Sequence, residues 1–109
     1  PTMWLDLARE FSENTVILGH AGAPGFTGPA IVADGVADNI VLETSWCSPH
    51  DIGRAIKAIG PERVMFGSDL QFNHAVELAK YRAIGLTDEV LALTLGANAR
   101  RVYRLPAAA

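Results

Sequence analysis

Three short runs of apolar and β-branched residues recur along the chain, and polar residues follow each of them. A run of this kind predicts a strand that is buried on both faces, as in a parallel sheet covered by helices. The predicted strands are residues 16–18, 40–44 and 64–66. Between and around them, apolar residues recur at the spacing of a helix face. The predicted helical segments are residues 4–11, 29–37, 49–59, 74–83, 88–95 and 97–103.

This alternation of strands and helices predicts parallel βαβ units with right-handed crossovers. Local signals mark several helix ends. Ser48 followed by Pro49 predicts a helix start, because the hydroxyl can accept a free N–H and proline suits the first helical position. Gly60 predicts the end of that helix. Thr87 predicts a second capped helix start. Gly96 predicts a break in the helix that begins after Thr87.

Polar side chains follow the ends of all three predicted strands: His20 after the first, residues 43–45 at the second and Asp69 after the third. In parallel sheets and (β/α) barrels the chemistry lies at the carboxyl ends of the strands. A complete eight-unit barrel takes about 250 residues, so this chain would supply about three of the eight units. Such a partial barrel has two open strand edges, which favour pairing or aggregation.

The length and composition are those of one domain or a piece of one. The chain has 109 residues, of which 50% are hydrophobic and 19% are charged, and this excludes a disordered chain. The apolar content exceeds what a small self-sufficient domain must bury, so we expect some of it to face something outside this chain. The chain is mildly acidic, with a net charge of −3 that no charge block concentrates, which argues against nucleic-acid and anionic-membrane partners.

Cys47 is the single cysteine, which excludes an internal disulfide and a zinc site built on several cysteines. A lone thiol fits a reducing compartment, and we expect a cytoplasmic location. The longest uncharged stretch, residues 15–33, is too interrupted by glycine and proline to predict a membrane-spanning helix. The start at Pro1 shows neither a signal-peptide pattern nor an initiator methionine, and we expect the chain to be part of something longer.

His20 and Asp69 are the two candidate functional residues that this pattern singles out. A histidine that follows a buried strand can act as a general base near neutral pH or bind a metal ion. An aspartate in the same place can bind a divalent cation or hold a proton. Each also has a structural alternative, since His20 could bond nearby backbone and Asp69 could cap the following helix.

Other chemistry-bearing residues fit less well. Ser68 lacks the G-x-S-x-G pattern of a nucleophile elbow. The glycine-rich segment 19–25 matches neither the dinucleotide fingerprint nor the P-loop, and it contains no lysine or arginine. Glu43 would need a partner if buried, and Arg63 could pair with it or with Glu62. Three further residues are predicted to occupy structural or surface positions: Cys47, His50 and His74. The alternatives are that Cys47 faces a substrate and that His74 lines a pocket.

Four segments, residues 16–22, 39–45, 62–69 and 96–102, occur in an order and spacing that resemble a known family. The chain resembles the carboxy-terminal part of the amidohydrolase-related metal-dependent hydrolases, whose members include aminocarboxymuconate-semialdehyde decarboxylase, resorcylate-type decarboxylases and lactone hydrolases. The resemblance covers nearly the whole chain. It implies an α/β fold that is the last part of a (β/α)8 TIM-type barrel, with strands six to eight and the closing helices. Residues 1–109 would form a single partial domain, with 105–109 as a tail.

The resemblance also implies roles for individual residues. His20 matches the strand-six histidine that contacts the metal-bound water or the substrate as acid or base. Asp69 matches the strand-eight aspartate, a metal ligand that can also take up a proton, and Asn98 matches a structural asparagine. The implied cofactor is a divalent metal ion, Zn²⁺ being the first candidate. A catalytic zinc usually has three protein ligands. The metal ligands other than Asp69 would lie upstream of Pro1, so we expect the isolated chain to be inactive.

The reaction implied by the resemblance is attack of a metal-activated water on a carbonyl-type substrate. The alternatives are a metal-dependent decarboxylase of the same family and a non-catalytic α/β fragment or interaction module. The expected partner is a small molecule with a carboxylate or carbonyl group, and neither a nucleic acid nor a membrane is expected. Self-association into a homo-oligomer through the open strand edges stays an alternative.

Overall fold

The computed structural model describes residues 2–23 and 25–106. It contains three strands: β1 (Val16–Leu18), β2 (Ile40–Glu43) and β3 (Val64–Met65). The α-helices are α1 (Leu5–Glu10), α2 (Thr27–Val36), α3 (Pro49–Ile59), α4 (His74–Ile84), α5 (Asp88–Ala92) and α6 (Asn98–Tyr103). Short 3-10 turns lie at Thr2–Trp4, Gly19–Gly22, Pro61–Arg63 and Gln71–Asn73, and a π-helical segment spans Leu93–Ala97.

The three strands form one parallel sheet in the order β1-β2-β3. Val16 of β1 is opposite Ile40 of β2, and Leu42 of β2 is opposite Val64 of β3. Each connection carries helical structure, so the parallel βαβ arrangement predicted from the sequence is confirmed. All three carboxyl ends therefore meet at one edge of the sheet.

The central strand β2 is buried on both faces, as its unbroken apolar run predicted. Ile40 and Leu42 are fully buried, and Val41 is 3% exposed. Helices α2 and α3 contribute small and branched side chains to the same core: Ala30, Ala33, Ile52 and Ala55. Fully burying one large aliphatic side chain contributes about 1.5–3 kcal/mol, so the burial of β2 stabilises the sheet strongly.

Both outer strands of the described sheet have an open edge, since β1 and β3 each pair only with β2. An apolar cavity of about 420 Å³ lies beside β1, lined in part by Trp4, Leu7 and Val16. On the same side, Trp4 and Leu7 are 53% and 39% exposed. Apolar surface beside an unpaired strand is what a partial barrel presents where its next strand would lie.

Two helix starts follow the predicted capping. The Ser48 hydroxyl accepts the N–H of Asp51 at 3.1 Å, and the Thr87 hydroxyl accepts the N–H of Val90 at 3.4 Å. Helix α2 begins at Thr27, two residues before its predicted start. Helix α6 ends at Tyr103. The predicted tail begins at Leu105, and its first two residues, Leu105 and Pro106, lie outside the helix. Residues 107–109 of the tail lie outside the described residues.

The predicted break at Gly96 is wrong. The chain continues through Gly96 as a π-helical segment that joins α5 to α6. The reason is that the backbone N–H of Phe66, at the end of β3, donates to the carbonyl of Thr94 at 2.8 Å. A carbonyl drawn toward the sheet widens the local turn, and the modest helix penalty of glycine, about 1 kcal/mol, does not break the helix.

The predicted pairing of Arg63 is also wrong. Arg63 Nη1 lies 2.6 Å from Oδ1 of Asp34 and donates to the backbone carbonyl of the same residue at 3.0 Å. Asp34 is on α2 and is fully buried. Arg63 therefore joins the start of β3 to α2, and neither Glu43 nor Glu62 takes part. Separately, no helix within the described residues is long and apolar enough to cross a membrane.

Candidate active site at the carboxyl edge of the sheet

His20 is held in an unusual backbone conformation just after β1. Its φ and ψ are 56° and 26°, in the left-handed region that non-glycine residues seldom adopt. Its N–H donates to Glu43 Oε2 at 3.0 Å, and its carbonyl accepts the N–H of Ala23 at 2.8 Å and the thiol of Cys47 at 3.4 Å. Such a conformation costs about 1–3 kcal/mol and persists only where its surroundings fix it.

The imidazole of His20 is fixed as well. Its Nδ1 lies 2.8 Å from the hydroxyl oxygen of Ser45. That hydroxyl donates to Glu43 Oε2 at 2.8 Å, and the Ser45 N–H donates to Oε1 at 2.7 Å. Ser45 is fully buried and His20 is half-buried. The ring of His20 is thus held by a hydroxyl that cannot reorient freely.

Glu43 is the residue around which this part of the site is built. Its carboxylate accepts hydrogen bonds from the N–H of His20 and from both the N–H and the hydroxyl of Ser45. Gly67, at the end of β3, leaves the space that the carboxylate occupies, because a Cβ there would collide with Oε1. The sequence predicts Glu43 at the carboxyl end of the second strand and in need of a partner if buried, but it does not indicate that Glu43 holds both His20 and Ser45.

Asp69 follows β3 and is also in the left-handed region, with a φ of 60°. Its Oδ2 accepts the indole N–H of Trp46 at 2.9 Å. Trp46 has a φ of 64° and is 48% exposed. The alternative that Asp69 caps a helix is not observed, since the turn at Gln71–Asn73 has no side-chain cap.

A buried polar network holds the chain that follows Asp69. The side-chain amide of Asn73 donates to the carbonyl of Ser68 at 3.4 Å and to Glu77 Oε1 at 2.9 Å. Glu77 is 1% exposed and forms an ion pair with Lys80 at 2.7 Å. Nothing in the helical spacing of α4 marked these residues, because glutamate and lysine three apart are common on exposed helix faces.

The middle strand connects the two candidate residues. His20 is bonded to Ser45, and Asp69 is bonded to the next residue along the chain, Trp46. Within the described part of the chain, no hydrogen bond joins His20 directly to Asp69. Thr44, just before this pair, is fixed by a 2.6 Å hydrogen bond to the hydroxyl of Tyr81, and burial raises the pKa of that hydroxyl.

The remaining candidates occupy structural or surface positions. Burial raises the pKa of the Cys47 thiol to about 11, so it is neither a thiolate nucleophile nor a ready metal ligand at neutral pH. His50 is exposed, and His74 is exposed with its ring edge-on to Phe66. The Asn98 amide donates to the carbonyls of Pro61 and Val64 at 2.6 and 2.7 Å, which ties α6 to the start of β3.

Asp69 fits the role of one metal ligand. Trp46 fixes its Oδ2, while its Oδ1 has no hydrogen-bond partner among residues 2–23 and 25–106 and is available for coordination. Ligating carboxylates in metal sites are usually held in this way by an outer hydrogen-bond donor. Over the same residues, no group of three or more potential metal ligands comes together. The described residues therefore contain no complete metal site, and a ligand role for Asp69 stays a prediction.

The parallel sheet, its helical crossovers and the polar residues at the carboxyl ends define an α/β protein, the class to which the (β/α) barrels belong. The amidohydrolase family model matches residues 2–105. The chain belongs to the amidohydrolase family. No curated protein matches the sequence significantly.

Solved structures confirm the fold. The chain is similar to 5-carboxyvanillate decarboxylase from Sphingomonas paucimobilis, with a TM-score of 0.70 and 24% identity over 92% of this chain and 36% of that one. It is also similar to a zinc-bound amidohydrolase from Burkholderia multivorans (TM-score 0.68, 20% identity, 94% of this chain and 48% of that one). An amidohydrolase from Bifidobacterium longum subsp. infantis gives a TM-score of 0.71 at 18% identity, over 96% of this chain and 46% of that one.

These overlaps have one direct consequence for the fold. The chain spans between about a third and a half of each of these structures. It is therefore a portion of a TIM-type barrel, and the open edges of β1 and β3 are places where a complete barrel continues its sheet. The similarity establishes the fold of the segment and leaves the roles of His20 and Asp69 as predictions.

Proposed function

We propose that this segment supplies the acid/base histidine and one metal ligand of a metal-dependent hydrolase. The observation that carries the proposal is the arrangement at the carboxyl edge of the sheet. There the consecutive residues Ser45 and Trp46 hold the side chains of His20 and Asp69 by hydrogen bonds of 2.8 and 2.9 Å. Strained backbone at His20, Trp46 and Asp69 supports a functional role, because such strain clusters at active sites.

Asp69 would hold the metal through Oδ1, with Trp46 keeping the carboxylate in place through Oδ2. A bound divalent cation supplies Lewis acidity, which polarises a carbonyl and lowers the pKa of a water molecule from 15.7 to about 7. His20 would take the proton from the attacking water and return it to the leaving group as the carbonyl–heteroatom bond breaks. The other metal ligands would come from parts of a complete barrel that this segment does not include.

Exposed apolar side chains on this segment support a proposal about the substrate class. Apolar side chains stand exposed in the loops after each strand, and the largest are Phe26, Trp46, Leu70 and Phe72. We infer a small carbonyl or carboxylate compound with an apolar body, whose ring or chain would contact these side chains.

Decarboxylation is the second candidate, because the chain shares its fold with a 5-carboxyvanillate decarboxylase. In that reaction the bond between the substrate carbon and its carboxylate breaks, CO₂ leaves, and the carbon takes up a proton. His20 would supply that proton, so the same residue serves either reaction and the geometry of this segment does not distinguish them.

The test uses the complete natural polypeptide that contains this segment, in three variants: Asp69→Asn, His20→Gln and the exposed-surface control His50→Gln. Metal content is measured by elemental analysis. Turnover is measured on a panel of lactones and esters and, separately, as CO₂ release from aromatic carboxylates. Asp69→Asn should lose most of the bound metal and the activity. His20→Gln should keep the metal and lose about 10²–10⁴-fold in rate, whereas His50→Gln should match the wild type.

The outcomes separate the candidates. Turnover of esters or lactones supports hydrolysis, whereas CO₂ release without ester turnover supports the decarboxylase. Full metal occupancy in Asp69→Asn, or an unchanged rate in His20→Gln, would overturn the assignment of the affected residue. Absence of metal and of both activities in the wild type would support a non-catalytic module.

A further inference from the structure

Ser45 lies between an acceptor and an imidazole, and it has only one hydroxyl proton to share. Glu43 Oε2 and His20 Nδ1 are both 2.8 Å from its oxygen. If the hydroxyl donated to Nδ1, two lone-pair-bearing oxygens would face each other at 2.8 Å without a proton between them. The favourable arrangement is the other one, in which Ser45 donates to Glu43 and accepts the proton carried by Nδ1.

The other contacts of Glu43 agree with this direction. Its Oε2 already accepts the backbone N–H of His20, and its Oε1 accepts the backbone N–H of Ser45. Every described partner of the carboxylate is therefore a donor, so the carboxylate acts purely as an acceptor. The two side-chain hydrogen bonds therefore run in one direction only. His20 Nδ1 donates to the Ser45 hydroxyl, and that hydroxyl donates to Glu43 Oε2.

We propose that Ser45 and Glu43 are positioning residues that hold His20 in the tautomer protonated on Nδ1, which leaves Nε2 as its basic nitrogen. Which ring nitrogen of a histidine carries the proton is set by the hydrogen bond that the other nitrogen makes. Within the described residues Nε2 has no hydrogen-bond partner, so it is the nitrogen available to a substrate or water. The use of Nε2 in catalysis rests on the proposed function, whereas the assignment of the tautomer does not.

The arrangement also places a negative charge where a protonated imidazole would need one. When Nε2 takes up a proton, the ring becomes cationic, and the carboxylate of Glu43 lies one hydroxyl away from Nδ1. Charge-assisted hydrogen bonds are about twice as strong as neutral ones. The hydrogen-bonded relay of Glu43, Ser45 and His20 therefore strengthens when Nε2 takes up its proton. Because Glu43 also bonds the N–H of His20, one carboxylate fixes both the backbone and the ring of this residue.

The direct test is the protonation pattern of the His20 ring in the complete natural polypeptide. Histidine is labelled with ¹⁵N, and long-range proton–nitrogen spectra are recorded at about pH 8.5, well above the usual histidine pKa of about 6.5. His20→Gln identifies the His20 signals by their loss. In the wild type we expect Nδ1 to be protonated and Nε2 to be unprotonated. A wild-type ring protonated on Nε2 would overturn the proposal without any further variant.

Two matched variants test the role of the hydroxyl. Ser45→Ala should shift the tautomer population toward protonation on Nε2, whereas Ser68→Ala should leave it unchanged. Ser68 is a suitable control because it follows the neighbouring strand and its hydroxyl makes no hydrogen bond within the described residues. Backbone amide spectra establish that each variant is folded. An unchanged tautomer in folded Ser45→Ala would remove Ser45 from the relay.

Activity provides a second measurement that separates this proposal from the proposed function. Ser45→Ala should lower kcat by about 10–100-fold with a smaller effect on KM, the usual range for an outer hydrogen-bond partner. If His20→Gln leaves the rate unchanged while the Nδ1–H tautomer is present, the proposed function fails and the tautomer assignment stands. If His20→Gln is inactive but Nε2 carries the proton, the relay fails and the role of His20 stands.

Discussion

Trp46 and Asp69, which follow neighbouring parallel strands, are joined by a hydrogen bond of 2.9 Å from the indole N–H to Oδ2. Both residues have a left-handed backbone, with φ values of 64° and 60°. Trp46 is half-exposed, so the core does not require its ring as packing. The indole is therefore best understood as the group that orients the Asp69 carboxylate at the edge of the sheet.

Replacing Trp46 by phenylalanine should test this relationship, since the change keeps an aromatic ring and removes the N–H. We expect Trp46→Phe in the complete polypeptide to weaken metal binding by about 10–100-fold while the protein stays folded. The measurement is a zinc titration against a competing chelator. Trp4→Phe, at the other tryptophan of the sequence, is the control and should bind metal as the wild type does. Equal affinity in Trp46→Phe would mean that the indole does not hold a metal ligand.

The space beside Gly67 gives a second prediction. A Cβ at position 67 would collide with the Glu43 carboxylate, which would break contacts to His20 and Ser45. We expect Gly67→Ala to lower the free energy of unfolding by about 1–3 kcal/mol, the usual range for overpacking. Equilibrium denaturation of the complete polypeptide measures this change.

Gly35→Ala is the matched control for this prediction. Gly35 lies inside α2, and nothing lies within 4 Å of a Cβ built there. Because alanine favours a helix over glycine, this variant should be more stable by about 0.5–1 kcal/mol. A Gly67→Ala protein as stable as the wild type would show that the Glu43 carboxylate can move aside at little cost.

The strands and their parallel order could be predicted from the sequence because burial on both faces leaves a local signal. The run from Ile40 to Leu42 has no polar interruption, and all three residues are buried. Helix starts at Ser48 and Thr87 were predictable for the same reason, since a cap acts within three residues of itself. By contrast, the π-helical path through Gly96 depends on Phe66, which is about thirty residues away along the chain.

The candidate site was only partly predictable. The positions of His20 and Asp69 after buried strands pointed to the carboxyl edge, and the structure places both residues there. Ser45 follows a buried strand as well, but no local signal indicated that Ser45 and Trp46 would hold these two side chains. Their hydrogen bonds span 25 and 23 residues, and the left-handed backbone at non-glycine positions has no local sequence mark.

The buried pair of Asp34 and Arg63 gives a prediction about pH. Burial raises the pKa of Asp34 to about 7, and the attraction of Arg63 offsets this only in part. Arg63 Nη1 lies 2.6 Å from Oδ1, but no described group forms a well-directed hydrogen bond with either carboxylate oxygen. The ordinary aspartate pKa of 3.8 applies to the unfolded chain, so between about pH 4 and pH 7 the folded state holds the proton more tightly.

Stability contributed by this proton is therefore present at low pH and is lost as the pH rises toward 7. Relative to Asp34→Asn, which cannot ionise, the wild type should lose up to about 1.4 kcal/mol of unfolding free energy per pH unit across that range. Denaturation of both proteins at a series of pH values measures the difference. Asp38→Asn is a second comparison: Asp38 is exposed and its charge also raises the pKa of Asp34, so its loss should keep the pH-dependent slope and move it to slightly lower pH. A difference between wild type and Asp34→Asn that is constant with pH would mean that Asp34 stays ionised beside Arg63.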